Sequence, residues 1–197
     1  MREIETKVLD VCREEILRRL SRESEDDLDL VCDRRYMETR YYEVEEPLQV
    51  LRIRSTRLKH YCDYDAADIE VTIKRIPAER NSTESNVKEL DEQNLIMTGY
   101  LKDVERFFEM QGYQECLQFE KWRTSYTYKK CRLEFDEFFE TAIDSGNRVV
   151  RLPSPPWLEI EGGTQEDISE VLSDIGLNWE DTSELTTIDL YKKYYGE

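Results

Sequence analysis

The feature that most constrains this chain is charge placed on alternate residues of strand-like segments. Side chains at i and i+2 of a strand share one sheet face, and i+1 takes the other. Glu3, Glu5 and Lys7 share a face while Ile4 and Val8 take the opposite one. Arg52 and Arg54 flank Ile53, Thr72 and Lys74 alternate with Val71 and Ile73, and Glu89 and Asp91 flank Leu90. Lys121 and Arg123 flank Trp122; Glu134 and Asp136 alternate with Leu133 and Phe135, and Glu159 and Glu161 with Leu158 and Ile160. An antiparallel sheet wet on one face alternates in the same way, and for a single strand that is the ordinary reading. The set departs from it because its pairs are segregated by sign. Like charges two residues apart on one face repel. Such strands make sense if they curl round so that acid and base strands converge on something multiply charged.

The inward set holds the carboxylates Glu3, Glu5, Glu89, Asp91, Glu134, Asp136, Glu159 and Glu161 and the bases Lys7, Arg52, Arg54, Lys74, Lys121 and Arg123. Burying so many ions dry costs several kcal/mol each, so the interior is expected to be wet and to take a ligand. Carboxylates without histidine or thiolate select hard divalent cations, Mg²⁺ or Mn²⁺. Clustered Arg and Lys select phosphate oxygens. Together they describe a polyphosphate bound with metal. No GxxxxGK[ST] or GxGxxG loop is present, so side chains alone must build such a phosphoryl-transfer site. The single histidine, His60, excludes any mechanism that needs two.

The rest of the composition bounds the partners. With 45 acids against 28 bases the formal charge is -17, which argues against a general nucleic-acid binder and against an anionic membrane surface. No apolar stretch approaches the ~20 residues that span a bilayer. The opening Met1–Lys7 has no apolar run behind it and does not read as a signal peptide. The cysteines Cys12, Cys32, Cys62, Cys116 and Cys131 include no CxxC pair, which fits a reducing cytoplasm; Cys32 and Cys131 read as small buried hydrophobes. The chain of 197 residues is expected to form one domain, 1–197, as a monomer or homodimer with a small-molecule partner.

Strands are expected over Glu3–Val11, Leu28–Val44, Leu48–Ser55, Ile69–Ile76, Val87–Asn94, Leu117–Tyr128, Lys130–Phe138 and Trp157–Gly162. Helical spacing joins Ile16, Leu17 and Leu20, then Leu101, Val104 and Phe108 with Thr98 as N-cap and Gly112 as stop. A third stripe, Ile168, Val171, Leu172 and Ile175, is capped by Thr164 and closed by Gly176, and a final helix covers Thr187–Tyr195. Loops are expected at Pro77–Asn86 and Asp144–Pro156. The fold class is α+β. Residues 159–197 contain eleven acids and only Lys192 and Lys193 as bases, and beyond Glu161 they read as a solvated helical surface remote from the site.

The ordered motifs resemble those of the CYTH superfamily, the triphosphate tunnel metalloenzymes. Glu3-Ile4-Glu5-Thr6-Lys7 resembles the ExExK signature. Tyr36-Met37-Glu38-Thr39 is similar to Y-F-D-T, Leu51-Arg52-Ile53-Arg54 to LRxR, Thr72-Ile73-Lys74 to T-x-K, and Lys88-Glu89-Leu90-Asp91 to R-x-E-x-E. Lys121-Trp122-Arg123 is similar to K-x-R, Phe135-Asp136 to L-D, and Trp157-Leu158-Glu159-Ile160-Glu161-Gly162 to F-L-E-I-E-G. The series runs in order over nearly the whole chain.

The resemblance implies a closed eight-stranded antiparallel β-barrel tunnel with a charged lumen and helices packed outside. It implies metal-dependent hydrolysis of inorganic tripolyphosphate or a small organic triphosphate. The alternatives are a class IV adenylyl cyclase making cyclic AMP from ATP, and a non-catalytic phosphate binder or acidic decoy. Barrel closure would bring the first and last strands together, assigning the metal to Glu3, Glu5, Glu159 and Glu161, with Asp136 assisting and Glu89 and Asp91 near a second ion. The phosphate clamp is Arg52, Arg54, Lys74, Lys121 and Arg123, with Lys7 at the metal end; Glu3, Glu5, Lys7, Arg54 and Lys74 form the expected catalytic set. Three departures stand out. Phe138 to Pro156 replaces a short turn, Lys88 and Asp91 replace Arg and Glu, and Met1-Arg2 stand where class IV cyclases often carry His-Phe.

Overall fold

The structure is a computed structural model that describes residues 2–24, 26–45, 48–57, 67–75, 88–144, 147–153 and 157–195. The strands are β1 (Arg2–Val8), β2 (Leu28–Tyr42), β3 (Leu48–Arg57), β4 (Ala67–Arg75), β5 (Lys88–Gly99), β6 (Glu115–Tyr128), β7 (Cys131–Asp144), β8 (Asn147–Pro153), β9 (Trp157–Gly162) and the short β10 (Thr182–Ser183). The helices are α1 (Arg13–Glu23), α2 (Leu101–Met110), α3 (Gln165–Asp174) and α4 (Thr187–Tyr195). Every strand pairing is antiparallel, and the class is α+β.

Following the pairings from β1 through β5, β4, β3, β2, β6, β7 and β9 leads back to β1. This circuit contains the eight expected strands. β8 pairs with the far end of β7, and β10 with the end of β1, outside the circuit.

Residues directly opposite in an antiparallel ladder point to the same face, so the register fixes which side chains meet. The apolar parity faces outward and is covered by helices. Val8, Leu133, Phe135, Leu158 and Ile160 pack against Ile16 and Leu20 of α1 and Ile168, Val171 and Leu172 of α3. On the other side Leu51, Ile53, Ile69 and Val71 lie under Leu101 and Phe108 of α2, where the Phe108 ring stacks on Tyr42 at 5.2 Å. Each such fully buried side chain contributes roughly 1.5–3 kcal/mol. Ile4 and Ile73, also expected outside, are partly buried against the same two clusters. Because helices take up the outer apolar face, the charged parity is left to face inward.

Local signals set most element ends. The Thr164 Oγ1 accepts from the Asp167 N–H at 3.1 Å and caps α3, while Gly112 (φ 87°) and Gly176 (φ 72°) follow α2 and α3 in the left-handed region. Beyond shifts of one or two residues at several strand ends, four differences from expectation stand out. β1 stops at Val8, because Asp10 turns at φ 56° into α1. Thr98 is no N-cap: it is still paired with Asp68 in the β4–β5 ladder, and α2 starts after Tyr100 without a side-chain cap. The Asp144–Pro156 segment is not a loop throughout, since Asn147–Pro153 forms β8 against a β7 that runs on to Asp144. Gly99 ends a β5 that extends five residues past the expected Asn94. The Pro77–Asn86 loop, His60 and Cys62 lie outside the described residues. Cys131 is buried as expected and Cys32 is half-buried. No helix among the described residues is long and apolar enough to cross a membrane.

Candidate functional site

The inward parity gathers ionisable side chains from every part of the circuit. Lys7 lies opposite Glu159 and Glu5 opposite Glu161 across β1 and β9; Arg123 lies opposite Asp136 across β6 and β7. Arg52 and Arg54 of β3 face Thr72 and Glu70 of β4, and Lys74 faces Glu92 of β5. Glu5, Lys7, Arg52, Arg54, Lys74, Lys121, Arg123, Glu134, Asp136 and Glu159 are all buried. All of these but Asp136 line one or both of two adjoining cavities of about 190 and 200 Å³, which share Arg52, Arg54, Lys74, Arg123 and Glu159.

On the β1–β9–β7 side the charges are paired. The Lys7 Nζ lies 3.0 Å from both the Glu5 and the Glu159 carboxylates. The Arg123 Nε and an Nη each donate to Asp136 at 2.6 Å, with Glu134 and Glu159 beside them. Burial alone would push these carboxyls up, but Lys7 holds Glu5 below its ordinary range, Lys7 and Arg123 hold Glu159 well below it, and Arg123 does the same for Asp136. Glu161 is the exception: burial and the neighbouring Glu159 raise it. Oxygens of Glu5, Glu159 and Glu161 lie within 4.8 Å of one another. Three convergent carboxylates, with no nitrogen or sulfur donor among them, fit a hard divalent cation.

On the β3–β4 side the balance differs. Among the described residues the ion pairs of Arg52 and Arg54 are with Glu70, at 3.9 and 3.6 Å, and neither Nε has a hydrogen-bond partner. Burial, Arg52 and Arg123 push Arg54 down to about 10. Burial and Arg123 likewise hold Lys121 well below the ordinary lysine value, although its Nζ is 2.6 Å from Asp136; Arg123 shares that carboxylate, so one anion serves two cations. Arg54 stays charged at neutral pH. Its depressed value reflects burial first and then repulsion by Arg52 and Arg123, which the Glu70 carboxylate at 3.6 Å offsets only in part.

The structure thus brings together Glu5, Lys7, Arg52, Arg54, Lys74, Lys121, Arg123, Asp136, Glu159 and Glu161. The side chains of Glu3, Glu89 and Asp91 lie outside those described. The β1–β5 register pairs Glu3 with Leu90 but Ile4 with Glu89 and Arg2 with Asp91. Glu89 and Asp91 therefore share the register phase of Ile4, out of step with Glu5. Glu92 is in step instead, and its carboxylate meets the Lys74 Nζ at 2.8 Å. The expectation of Glu89 and Asp91 near a second ion does not follow from this register.

Sequence reasoning missed Glu70, Glu92, Tyr41 and the start of α4. The reading of the acidic C-terminal stretch as remote from the site is overturned at its last helix. Thr186, Thr187, Ile188 and Asp189 line the same cavity as Arg52 and Arg54, and Leu190 is fully buried against Tyr41, Phe119 and Trp157. The i, i+3 spacing of Leu185 and Ile188, with Leu190 beyond, was the available signal.

No protein-family model and no curated protein sequence matches the chain. Solved structures do. A conserved hypothetical protein from Pyrococcus furiosus is similar at 22% identity and a TM-score of 0.69, over 95% of this chain and 99% of that one. A Vibrio parahaemolyticus protein described as a candidate adenylate cyclase is similar at 12% identity and a TM-score of 0.65, over 96% and 97%. A chain of the Schizosaccharomyces pombe Mediator head module is similar at 12% and 0.57, over 89% and 92%. At such identities the likeness is one of fold. The chain has the fold these proteins share, in line with the resemblance of its strand motifs to the CYTH superfamily of triphosphate tunnel metalloenzymes.

Proposed function

We propose that the circuit of strands acts as a tunnel in which a triphosphate is hydrolysed with a divalent cation, Mg²⁺ or Mn²⁺. The observation that carries this reading is the cluster of buried cations around Arg54, which Arg52 and Arg123 repel, beside the carboxylates Glu5, Glu159 and Glu161 that line two adjoining cavities with it. A polyanion binding with a cation neutralises both halves at once.

In this reading Arg52, Arg54, Lys74, Lys121 and Arg123 hold the phosphoryl oxygens, the guanidiniums by two-point contacts and the lysines as point charges. The Arg54 guanidinium faces charge that grows on the transferred group, where a preorganised donor is worth about 2.7–4 kcal/mol. Lys7 fixes the Glu5 and Glu159 carboxylates through its two ion pairs. Glu5, Glu159 and Glu161 would hold the cation, which when bound supplies Lewis acidity toward phosphoryl oxygens. Water bonds to the terminal phosphorus, the bridging P–O bond breaks with its electron pair on the shortened chain, and one proton is released. The expected substrate is inorganic tripolyphosphate or a small organic triphosphate.

The likeness to the Vibrio protein favours a second reading, cyclisation of ATP by attack of its 3′-hydroxyl on the α-phosphorus. One experiment separates them: incubation with tripolyphosphate, thiamine triphosphate and ATP, each with Mg²⁺ and with Mn²⁺. Orthophosphate from tripolyphosphate supports hydrolysis. Cyclic AMP with pyrophosphate transfers the assignment to a cyclase, and silence in every tube points to a binding role.

A further inference from the structure

One cation of the second cavity stands apart from the clamp. Arg35 of β2 lines that cavity with Arg52, Arg54, Arg123 and Arg132. Arg52 and Arg54 have Glu70, Arg123 has Asp136 and Glu159, and Arg132 has Glu134. Arg35 has no carboxylate at ion-pair distance among the described residues. Its hydrogen bond there runs from the Nε to the Cys32 Sγ at 2.8 Å, which leaves both terminal nitrogens for a ligand. An irregularity of the strand places it. Cys32 is opposite Ser125 and Arg35 opposite Arg123, so β2 takes three steps where β6 takes two. An extra residue of this kind shifts the side-chain alternation by one, and here it sends Arg35 rather than Arg34 to the inner face. Arg34 adopts the left-handed backbone at φ 49°, uncommon for a residue other than glycine, and points outward, its guanidinium 5.2 Å from the Trp122 ring centre and 3.5 Å from Glu137. Arg35 then faces Arg123, and like charges directly opposite destabilise a ladder. Two unfavourable features that converge on one cavity point to a ligand.

We propose that Arg35 anchors a fourth phosphoryl subsite, so that the interior is built for linear polyphosphates of more than three units. The inference rests on the triphosphatase reading and deepens it by naming the substrate class. Strand geometry sets Arg35 beyond the clamp. Thr39 of β2 is opposite Arg54, and Arg35 lies four residues further along the same strand, on the order of 13 Å at ~3.3 Å per residue. The inward side chains between them on β2 and β3 are Thr39, Met37 and Thr56, so no carboxylate on that wall repels a polyanion. A triphosphate held by Arg52 and Arg54 leaves Arg35 facing Arg123 as before. One more phosphoryl group continues along the wall toward Arg35, whose two terminal nitrogens can grip two of its oxygens. Its negative charge also offsets the repulsion between Arg35 and Arg123.

The test weighs tetrapolyphosphate against tripolyphosphate by calorimetry at equal ionic strength, in EDTA so that the metal-dependent reaction is off. The wild-type protein is expected to bind the longer chain about tenfold more tightly, a difference of ~1.4 kcal/mol. Arg35→Gln should lose that preference while its affinity for tripolyphosphate stays within about twofold of the wild type, which also reports that the variant has folded. Arg35→Lys, which keeps the charge without the two-point grip, should retain part of the preference. Equal affinity of the wild type for the two chains overturns the fourth subsite. So does a loss in Arg35→Gln and Arg35→Lys that falls on both chains alike, since Arg35 then belongs to the triphosphate clamp. If the preference and its loss in Arg35→Gln are observed but no chain releases orthophosphate once Mg²⁺ or Mn²⁺ is added, the subsite stands and hydrolysis falls instead.

Discussion

The two sides of the inner face hold the same kinds of ions under opposite conditions. Around β1, β9 and β7, Lys7 and Arg123 sit between carboxylates at 3.5 Å or less, and Glu161 alone of those acids is raised by its neighbours. Around β3 and β4, Arg52 and Arg54 have Glu70 at 3.6–3.9 Å, and Arg52 also donates to the Thr72 Oγ1 at 3.2 Å; Arg54 is the cation that its neighbours repel. Buried charges cost several kcal/mol each unless paired. The first side therefore holds the strand circuit together, while the second keeps an electrostatic deficit that a polyanion relieves. Stability and ligand affinity should separate along that line.

The largest effect is expected at Lys7. Lys7→Met leaves Glu5 and Glu159 with only the longer contacts to Lys74 and Arg123, at 3.4 and 3.5 Å, and losing one partner of a buried pair costs about 3–5 kcal/mol, read as a fall in the denaturation midpoint. Arg54→Ala should do the reverse. Catalytic turnover falls about 100- to 1,000-fold, yet the ligand-free melting temperature stays level or rises, because the guanidinium removed was opposed by Arg52 and Arg123. A melting temperature that drops as far as in Lys7→Met would erase the distinction between the two sides.

Glu161 sharpens the comparison through pH. Its folded-state pKa is raised by burial and by Glu159. A raised carboxyl adds stability below its unfolded pKa and loses it as pH rises through the folded one, so ionised Glu161 weakens the metal-free protein. Glu5, Asp136 and Glu159 are lowered, and their contribution is present above the unfolded carboxylate pKa and lost only as pH falls through their folded values. Protons compete with a cation at Glu161, so Mn²⁺ affinity should decline with falling pH before the ordinary carboxylate range is reached. Calorimetric titrations at two pH values check this, and Glu161→Gln should weaken binding and flatten the dependence.

The smallest effect is expected at Glu70. It is partly exposed and its ion pairs are long, so Glu70→Gln should change stability by about 0–1 kcal/mol. Tripolyphosphate should bind slightly more tightly to that variant, since the carboxylate paired with Arg52 and Arg54 is gone; weaker binding would show that Glu70 aims the guanidiniums instead.

Much of this site was legible because strand parity is local. A period of two places Arg52 with Arg54, Lys121 with Arg123 and Glu159 with Glu161, whatever their neighbours. β5 shows where that stops. Acids at 89, 91 and 92 occupy both parities, and only the register against β1 and β4 decides that Glu92 shares the phase of Lys74. β8 was hidden by the proline and glycine near its ends, though Asp144-Ser145-Gly146-Asn147 between apolar runs is a fair hairpin signal. α4 was read as a helix with the right bounds, but periodicity says only that it has an apolar face. That this face meets inward-pointing Tyr41, Phe119 and Trp157 depends on packing between residues far apart in sequence.

The central claim is that the interior holds a charge deficit shaped for a polyanion. The most direct measurement is the melting temperature of the wild-type protein in EDTA with and without tripolyphosphate, against orthophosphate at equal ionic strength. A ligand at a hundredfold excess over its Kd stabilises by about 2.7 kcal/mol, and for a chain of this size each kcal/mol is about 2–4 °C. The account predicts a rise of roughly 5–10 °C with tripolyphosphate and a much smaller one with orthophosphate. No rise with tripolyphosphate, or the same rise in Arg54→Ala, would contradict it.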